Sequence, residues 1–504
     1  MVLQDINRPS ISDFYNGRSV FVTGGTGFLG KLVVEKLLRS CPGIENIYFL
    51  IRSRHNKNIK DRHLKVVNSP AFDLIREKNP EALKKIVLIE GDVSCLELGI
   101  SKAEQEVLFE KVSVVIHTAA SVALNDSLKK AVLTNLRSLR ELIKLAHQMK
   151  NLKSMIHTST AYCNLILPEI KEKIHPIDID PHAVIHLCEN FPDEVLKEFT
   201  TTLLKNHQNT YVFAKALAEI LITKDAKDLP IAIVRPSIIG ACVAEPKVGW
   251  TDSYTAITPF VDAVARGMFC SGYFAKDALC DVVPADMVVN TIIAASWTVT
   301  REKSTFCDDS SIKVYNSVSG DAHPITFERF ANLSVNIGKK YPSAKVVWYP
   351  EMRCYESKWA YEVDQFFTHL IPAYLTDFYQ KLSGGKTLAV KFYTTHKKIF
   401  DAANFVATLP FKFKSDKCEE LLNSMEDSPN EEFYFDLRSM DWKSYHHDFY
   451  FGIRKFILKE HNLDSVKGKK KLVKLRSMKY LLGLLLIAFV VLTVLKLNEF
   501  LFKL

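Results

Sequence analysis

The chain has 504 residues, of which 47% are hydrophobic and 24% charged, with only 19 glycines and 19 prolines. That composition supports a large buried core and excludes a disordered or collagen-like chain. The formal net charge is +9, but seven of the basic residues (Lys467, Lys469, Lys470, Lys471, Lys474, Arg476 and Lys479) fall in one stretch without an acid, so the excess is local and argues against nucleic-acid binding. Met1 to Ser10 shows no secretory signal pattern. The ten cysteines are scattered, with no Cys-x-x-Cys pair and no zinc-like spacing. We therefore expect no metal, and a catalytic part that faces a reducing compartment.

The first element in the chain is an apolar strand, Ser19 to Val22. It runs into Thr23-Gly24-Gly25-Thr26-Gly27-Phe28-Leu29-Gly30 and then an amphipathic helix from Lys31 to Leu38. Strand, glycine turn and helix in that order make a dinucleotide site. The glycines let the backbone approach a pyrophosphate, Gly30 allows close helix packing, and the helix N-terminus offers free N–H groups and a positive dipole. Val- and Ile-rich segments predict strands over 19–23, 46–51, 86–90, 113–117, 154–158 and 231–235, largely without polar alternation, as buried parallel strands require. Helices fit 29–39, 128–149 and 209–225. The expected fold is α/β, a Rossmann-type doubly wound parallel sheet.

Ligands in such sheets bind at the carboxyl ends of the strands. Arg52 and Arg54 follow the second strand, where an acid would bind a ribose 2′-OH. Arginine suits a 2′-phosphate instead, so the expected cofactor is NADPH. Asp92 and Val93, after the third strand, are placed beside the adenine. Ala119 and Ala120, after the fourth, leave room for the cofactor to pass. Thr158-Ser159-Thr160 ends the fifth strand, where a hydroxyl can stabilise an oxyanion that forms as hydride arrives. Arg235, Pro236 and Ser237, after the sixth, are expected to border the nicotinamide.

Tyr211-Val-Phe-Ala-Lys215 puts a phenol and an ammonium on one face of a helix. The lysine is expected to lower the phenol's pKa and to hold the nicotinamide ribose hydroxyls. The proline-rich stretch 165–208 reads as an insertion that shapes the substrate cleft. From about 241 the pattern is less regular, and a second, smaller, mostly helical domain is expected over 355–465, after a reductase domain at 1–354. Within it the apolar stretch Phe366 to Tyr379 is broken by His369, Pro372 and Asp377, which argues against a spanning helix; a place in the core is expected, with a dip into the membrane interface as the open alternative. His446, His447 and Asp448 are adjacent, cannot share one helical face and take surface or core roles.

The tail, 466–504, is a basic flank followed by sixteen uncharged residues, Tyr480 to Leu495. A spanning helix needs roughly 17–25 residues, and the snorkelling of Lys479 and Lys496 closes the gap. Positive charge on the N-terminal flank places that side in the cytosol.

Taken together, these residues resemble the extended short-chain dehydrogenase/reductases and, more narrowly, an alcohol-forming fatty acyl-CoA reductase. The similarity covers nearly the whole chain. It is carried by Gly17-Arg18-Ser19 through Pro42, His117-Thr-Ala-Ala-Ser-Val122, His157-Thr-Ser-Thr-Ala-Tyr162, Tyr211 to Glu219, Val234-Arg-Pro-Ser-Ile-Ile-Gly240, and Gly249-Trp250 with Asp252. In the C-terminal part it is carried by Trp442, Tyr445, Phe449, Gly452 and Phe456. The resemblance implies that Tyr211 donates a proton, that Lys215 is its electrostatic partner, and that Thr160 or Ser159 stabilises the oxyanion. It implies two hydride transfers from NADPH to a long-chain acyl-CoA, through an aldehyde, to a primary alcohol. The implied setting is the endoplasmic reticulum or peroxisome membrane, with lipid around the tail and a homo-oligomer allowed. Two departures stand out. Ser253-Tyr254-Thr255-Ala256-Ile257-Thr258-Pro259 replaces a run that commonly contains Asn-Gly-Pro, and Ala123-Leu124 replaces a basic residue and Phe. Two alternatives stay open from the residues alone: a sterol-type or other extended reductase, and an inactive NADPH-binding membrane scaffold.

Overall fold

The computed structural model describes residues 9–53, 58–165, 167–275, 277–302, 312–320, 322–425 and 431–501. Seven parallel strands form the central sheet: β1 Ser19–Thr23, β2 Ile47–Ile51, β3 Ile86–Glu90, β4 Val112–His117, β5 Ser154–Thr158, β6 Ile231–Pro236 and β7 Lys313–Ser317, in the order β7-β6-β5-β4-β1-β2-β3. The chain builds outward from β1 in one direction, then crosses to β4 and builds in the other. The crevice between the ends of β1 and β4 is therefore the topological switch point.

Alternation along each strand feeds two separate cores. Val20, Val22, Ile116 and Ile156 face one, while Phe21, Val115, Met155 and Ile233 face the other. Both faces are covered, which is why the strands read as continuous apolar runs. Helices α1 (Phe28–Ser40) and α4 (Ala285–Glu302) cover the first face; α2 (Ser138–Gln148) and α3 (Thr210–Asp225) cover the second. The helix predicted over 128–149 contains a π-helical stretch, Val132–Arg137, between Leu128–Ala131 and α2. The seventh strand, β7, was not expected from the sequence. It is a polar edge strand paired only with β6.

The stretch 165–208 carries two helices, Pro181–Asn190 and Asp193–Leu204, and a short strand, Glu169–Ile170, that pairs with Lys412–Phe413. Beyond β7 the chain is mainly helical: α5 (Phe327–Lys340), α6 (Ile371–Leu382), α7 (Ala389–Thr408), α8 (Trp442–Gly452) and α9 (Val466–Leu501). Helix α8 is packed deep against the main body. A Cβ on Gly452 would collide with the carbonyl of Gly249, so glycine alone permits that crossing. Tyr445 donates to the Ala241 carbonyl at 3.0 Å, and the buried His446 Nε2 lies 2.9 Å from Ser334 Oγ. Among the described residues no group of His, Cys, Asp or Glu could hold a metal. Helix α9 is long and apolar enough, over Val466–Lys496, to cross a membrane, and its described apolar side chains after Lys479 are exposed.

One correction concerns Phe366 to Tyr379. The structure does not bury it: Phe366, Phe367, Tyr374, Leu375, Phe378 and Tyr379 are all exposed. Apolar composition marks a surface that avoids water; only packing decides whether protein covers it.

A buried ion pair ties the sheet to its surroundings. Arg235 at the end of β6 and Glu219 on α3 meet in a fork, Nη2–Oε2 2.5 Å and Nε–Oε1 2.8 Å, with both side chains buried. Arg235 also donates to the carbonyls of Lys171 (3.1 Å) and Lys173 (2.9 Å), holding the start of the 165–208 stretch. Glu172 beside it accepts backbone N–H groups from Asn316 and Cys418, joining that stretch to β7 and the C-terminal region. Removing one partner leaves the other charge buried and unpaired. Glu219→Gln should therefore cost about 3–5 kcal/mol of stability, measured as a fall in unfolding midpoint in detergent. A loss near zero would mean the pair is hydrated.

The loop without glycine has a cost of its own. Ala256 holds φ at +51°, a left-handed conformation that L side chains rarely adopt. Ala256→Gly is expected to raise stability by about 1 kcal/mol in the same measurement; destabilisation would show that the alanine methyl packs favourably.

Candidate active site

The glycine turn follows β1 and opens α1 at the switch point. Gly24 has φ +77°, and a Cβ there would lie 2.6 Å from the Ala119 backbone nitrogen. That contact brings the turn after β1 against the segment after β4, where Ala119 and Ala120 lie. Gly27 is the N-cap of α1 and gives no side-chain cap, so the N–H groups of the first turn, around Phe28, Leu29 and Gly30, remain available to an anion. Thr23 and Gly25 are buried beneath the turn, while Thr26 is half-buried and Gly27 exposed. Lys31 pairs with Asp252, and Phe28 stacks near Trp250 at 5.2 Å, so the Gly249–Asp252 segment braces the start of α1. These features fit a dinucleotide pyrophosphate.

Two further loops complete the cradle. Arg52, half exposed after β2, lies 3.3 Å from Asp92 after β3, and Asp92 in turn accepts from Ser94 Oγ at 2.8 Å. Val93 is half-buried next to them. The geometry thus joins Arg52, Asp92 and Val93 at one corner; Arg54 lies outside the described residues. Asn135, in the π-helical stretch, accepts from the Ser121 N–H at 2.8 Å and donates to its carbonyl at 2.9 Å. That double bond to one residue holds the segment carrying Ala119 and Ala120. Sequence reasoning missed Asn135, because the π-helical turn that aims it has no local signature. Pro236, the last residue of β6, and Ser237 are both buried, and Arg235, expected beside them at the nicotinamide, is instead buried in the pair with Glu219.

At the end of β5 the three hydroxyls have different fates. Ser159 donates to Glu219 Oε1 at 2.6 Å and so belongs to the Arg235–Glu219 pair. The Thr158 hydroxyl is buried without a hydrogen-bond partner among the described residues, while the Thr158 carbonyl accepts from Lys215 Nζ at 2.7 Å. The Thr160 hydroxyl accepts from Tyr162 N at 3.3 Å and lies close enough to Tyr211 to lower the phenol's pKa. The structure therefore brings Thr160 and Tyr211 together and draws Ser159 away.

Helix α3 presents Tyr211 and Lys215 one turn apart. It is capped by Asn209, whose side chain accepts from Val212 N at 3.0 Å, and tied by Thr210 to the Asp126 carbonyl at 2.8 Å. Burial pushes the Tyr211 phenol up to about 12, against a smaller lowering by the Thr160 hydroxyl. Burial thus reverses the expected lowering, and Lys215 directs its ammonium to the Thr158 carbonyl. Burial also pulls Lys215 down to about 8, opposed by the Glu219 carboxylate. His117 and His157 sit side by side on β4 and β5, their rings 5.4 Å apart, with His117 Nδ1 2.7 Å from Thr23 Oγ1. Burial takes His117 down to about 3 and His157 well below its ordinary value, with Lys215 adding to both shifts, so the two rings stay neutral. Cys163, 3.4 Å from Glu219, is pushed upward by burial and stays a thiol.

A family model described as Male sterility protein, the NAD-binding one, matches residues 22–292, and a second with that description matches 368–460. Fatty acyl-CoA reductase 1 of Rattus norvegicus is 31% identical over 473 residues, covering 94% of this chain and 90% of that protein. Fatty acyl-CoA reductase wat of Drosophila melanogaster is 32% identical over 429 residues, covering 85% and 82%. Among solved structures, the terminal R domain from the myxalamid PKS-NRPS biosynthetic pathway shares the fold, with a TM-score of 0.58 at 18% identity and coverage of 88% of this chain and 92% of that one. With a nucleotide-binding turn, a Tyr/Lys helix and relatives of this kind along nearly its full length, the chain belongs to the fatty acyl-CoA reductase family and is an NAD(P)H-using oxidoreductase.

Proposed function

We propose that the protein reduces long-chain fatty acyl-CoA to the primary fatty alcohol with two NADPH, through an aldehyde, releasing CoA. The observation that carries this reading is that Tyr211 and Lys215, one turn apart on α3, reach Thr160 and the Thr158 carbonyl at the end of β5, on the edge of the sheet where the glycine turn follows β1. When bound, NADPH supplies hydride to the acyl carbonyl carbon, once to reach the aldehyde and once to reach the alcohol. A phenol held near 12 is protonated at neutral pH, so Tyr211 is suited to give its proton to the oxygen that becomes negative. Thr160, beside that phenol, is placed to donate its own proton to the same oxygen. Lys215, next to the site, compensates negative charge left on the phenolate and is placed to hold ribose hydroxyls. No cysteine nucleophile is required, in keeping with the upward shift of Cys163.

Arg52 supports the choice of NADPH, because a guanidinium recognises a 2′-phosphate in a charge-assisted fork. Its present partner, Asp92, keeps it at the adenine corner. The basic flank before Tyr480 supports a cytosolic catalytic domain on an endoplasmic reticulum or peroxisome membrane. In this reading 1–354 is the reductase domain, 355–465 the helical domain and 466–504 the anchor.

Membranes carrying the protein, given NADPH and a series of long-chain acyl-CoAs, should produce the corresponding fatty alcohols by mass spectrometry. Aldehyde as sole product, or no product despite NADPH binding, would refute the reading. Arg52→Ala should raise the KM for NADPH by about tenfold or more while leaving that for NADH nearly unchanged. Equal effects on both would remove Arg52 from the 2′-phosphate site.

A further inference from the structure

The stretch 366–382, which ends in α6, turns its apolar side outward. Phe367, Tyr374, Leu375, Phe378 and Leu382 recur at helical spacing and are exposed, Leu375 at 63%, Phe378 at 62% and Leu382 at 73%. A helix on a water-facing surface directs such a stripe inward. The inward side is made by Ala373, which is buried, and by His369, whose ring lies 5.5 Å from that of Phe269 and 6.1 Å from that of Tyr393. His369 Nε2 accepts from Cys270 N at 3.1 Å, and Gln365, just before it, donates to Ser271 Oγ at 2.9 Å.

The surroundings of the stripe are basic. Lys381, Lys386, Lys391 and Lys398 are exposed. The acid within 366–398 is Asp377, and its carboxylate is engaged in capping α7, accepting the N–H groups of Ala389 (2.8 Å) and Val390 (3.0 Å). Aromatic rings and leucines beside lysines are the composition of a helix lying in a bilayer interface.

The stripe also sits where the apolar part of α9 begins. Lys479, the last residue before Tyr480, pairs with Glu351; Glu351 meets Arg353 at 2.6 Å; Arg353 donates to Thr368 at 3.2 Å. Two side chains thus link the start of the apolar run to the first turn of the 366–382 stretch. A bilayer entered by α9 at Tyr480 reaches this corner of the body.

We infer that the outward face of 366–382 is a second membrane contact, lying in the interfacial layer of the bilayer that α9 enters. The inference rests on the reading of α9 as an anchor. The rings and leucines sit at the boundary of headgroups and acyl chains, and the lysines meet anionic headgroups. A single spanning helix leaves the body free to swivel about its axis; a second contact fixes which side faces the lipid.

The test uses the full chain in vesicles of phosphatidylcholine and phosphatidylserine, with photoreactive benzoylphenylalanine placed singly at position 375, 378, 485 or 64. Leu485 lies on α9, and Leu64 is exposed on the Ile59–Val67 helix. After irradiation, lipid adducts are expected at 375 and 378 with a yield comparable to that at 485, and absent at 64. Adducts at 485 without adducts at 375 and 378 would overturn the inference and leave the anchor standing. Cross-links from 375 and 378 to a second copy of the chain would replace it with a dimer interface. Absence of lipid adducts at 485 would overturn the anchor and the inference together.

Discussion

The fork between Arg235 and Glu219 is the constraint on which the catalytic end of the sheet depends. It joins β6 to α3 and, through the Lys171 and Lys173 carbonyls, holds the start of the 165–208 stretch. It also captures Ser159, the middle one of three consecutive hydroxyl residues at the end of β5. With Ser159 so engaged, Thr160 is the hydroxyl left beside Tyr211. A charge pair this deeply buried adds little net stability over an apolar pair of similar size, but it tolerates few geometries. Its effect is therefore on position: it sets the rotation of α3, and with it where Tyr211 and Lys215 face the strand ends.

Electrostatics around that helix favour neutral groups. Burial holds Tyr211 as a phenol, lowers Lys215 toward neutrality and keeps His117 and His157 uncharged. Lys215, directed at the Thr158 carbonyl, does not set the phenol's acidity by direct contact. In the reaction proposed above, a proton donor that is weakly acidic at rest suits negative charge that arises only as hydride arrives, because the charge itself draws the proton.

Much of this was legible in the sequence, for identifiable reasons. Six strands announced themselves because burial on both faces demands unbroken Val and Ile runs. Lys313-Val-Tyr-Asn-Ser317 did not, since an edge strand with polar residues carries no such run. The glycine turn was readable because Gly24 is needed where two backbones touch. The Arg235–Glu219 pair was not read from the sequence, which placed Arg235 beside the nicotinamide; an arginine at the end of an otherwise apolar strand needs a partner when buried. Which helix would supply that partner is a tertiary fact. So is the exposure of Phe378 and its neighbours, whose composition matches that of a core helix. The engagement of Ser159 rests on a contact between residues 60 positions apart.

The most direct measurement is single-turnover reduction of an acyl-CoA by Tyr211→Phe, with NADPH affinity measured on the same preparation. If Tyr211 is the proton donor, removing its hydroxyl should slow the chemical step by about 10²–10⁴-fold while NADPH still binds with near-normal affinity. A variant that binds NADPH and still forms fatty alcohol at an unchanged rate would contradict the account, and would move the proton source to another group at the end of β5.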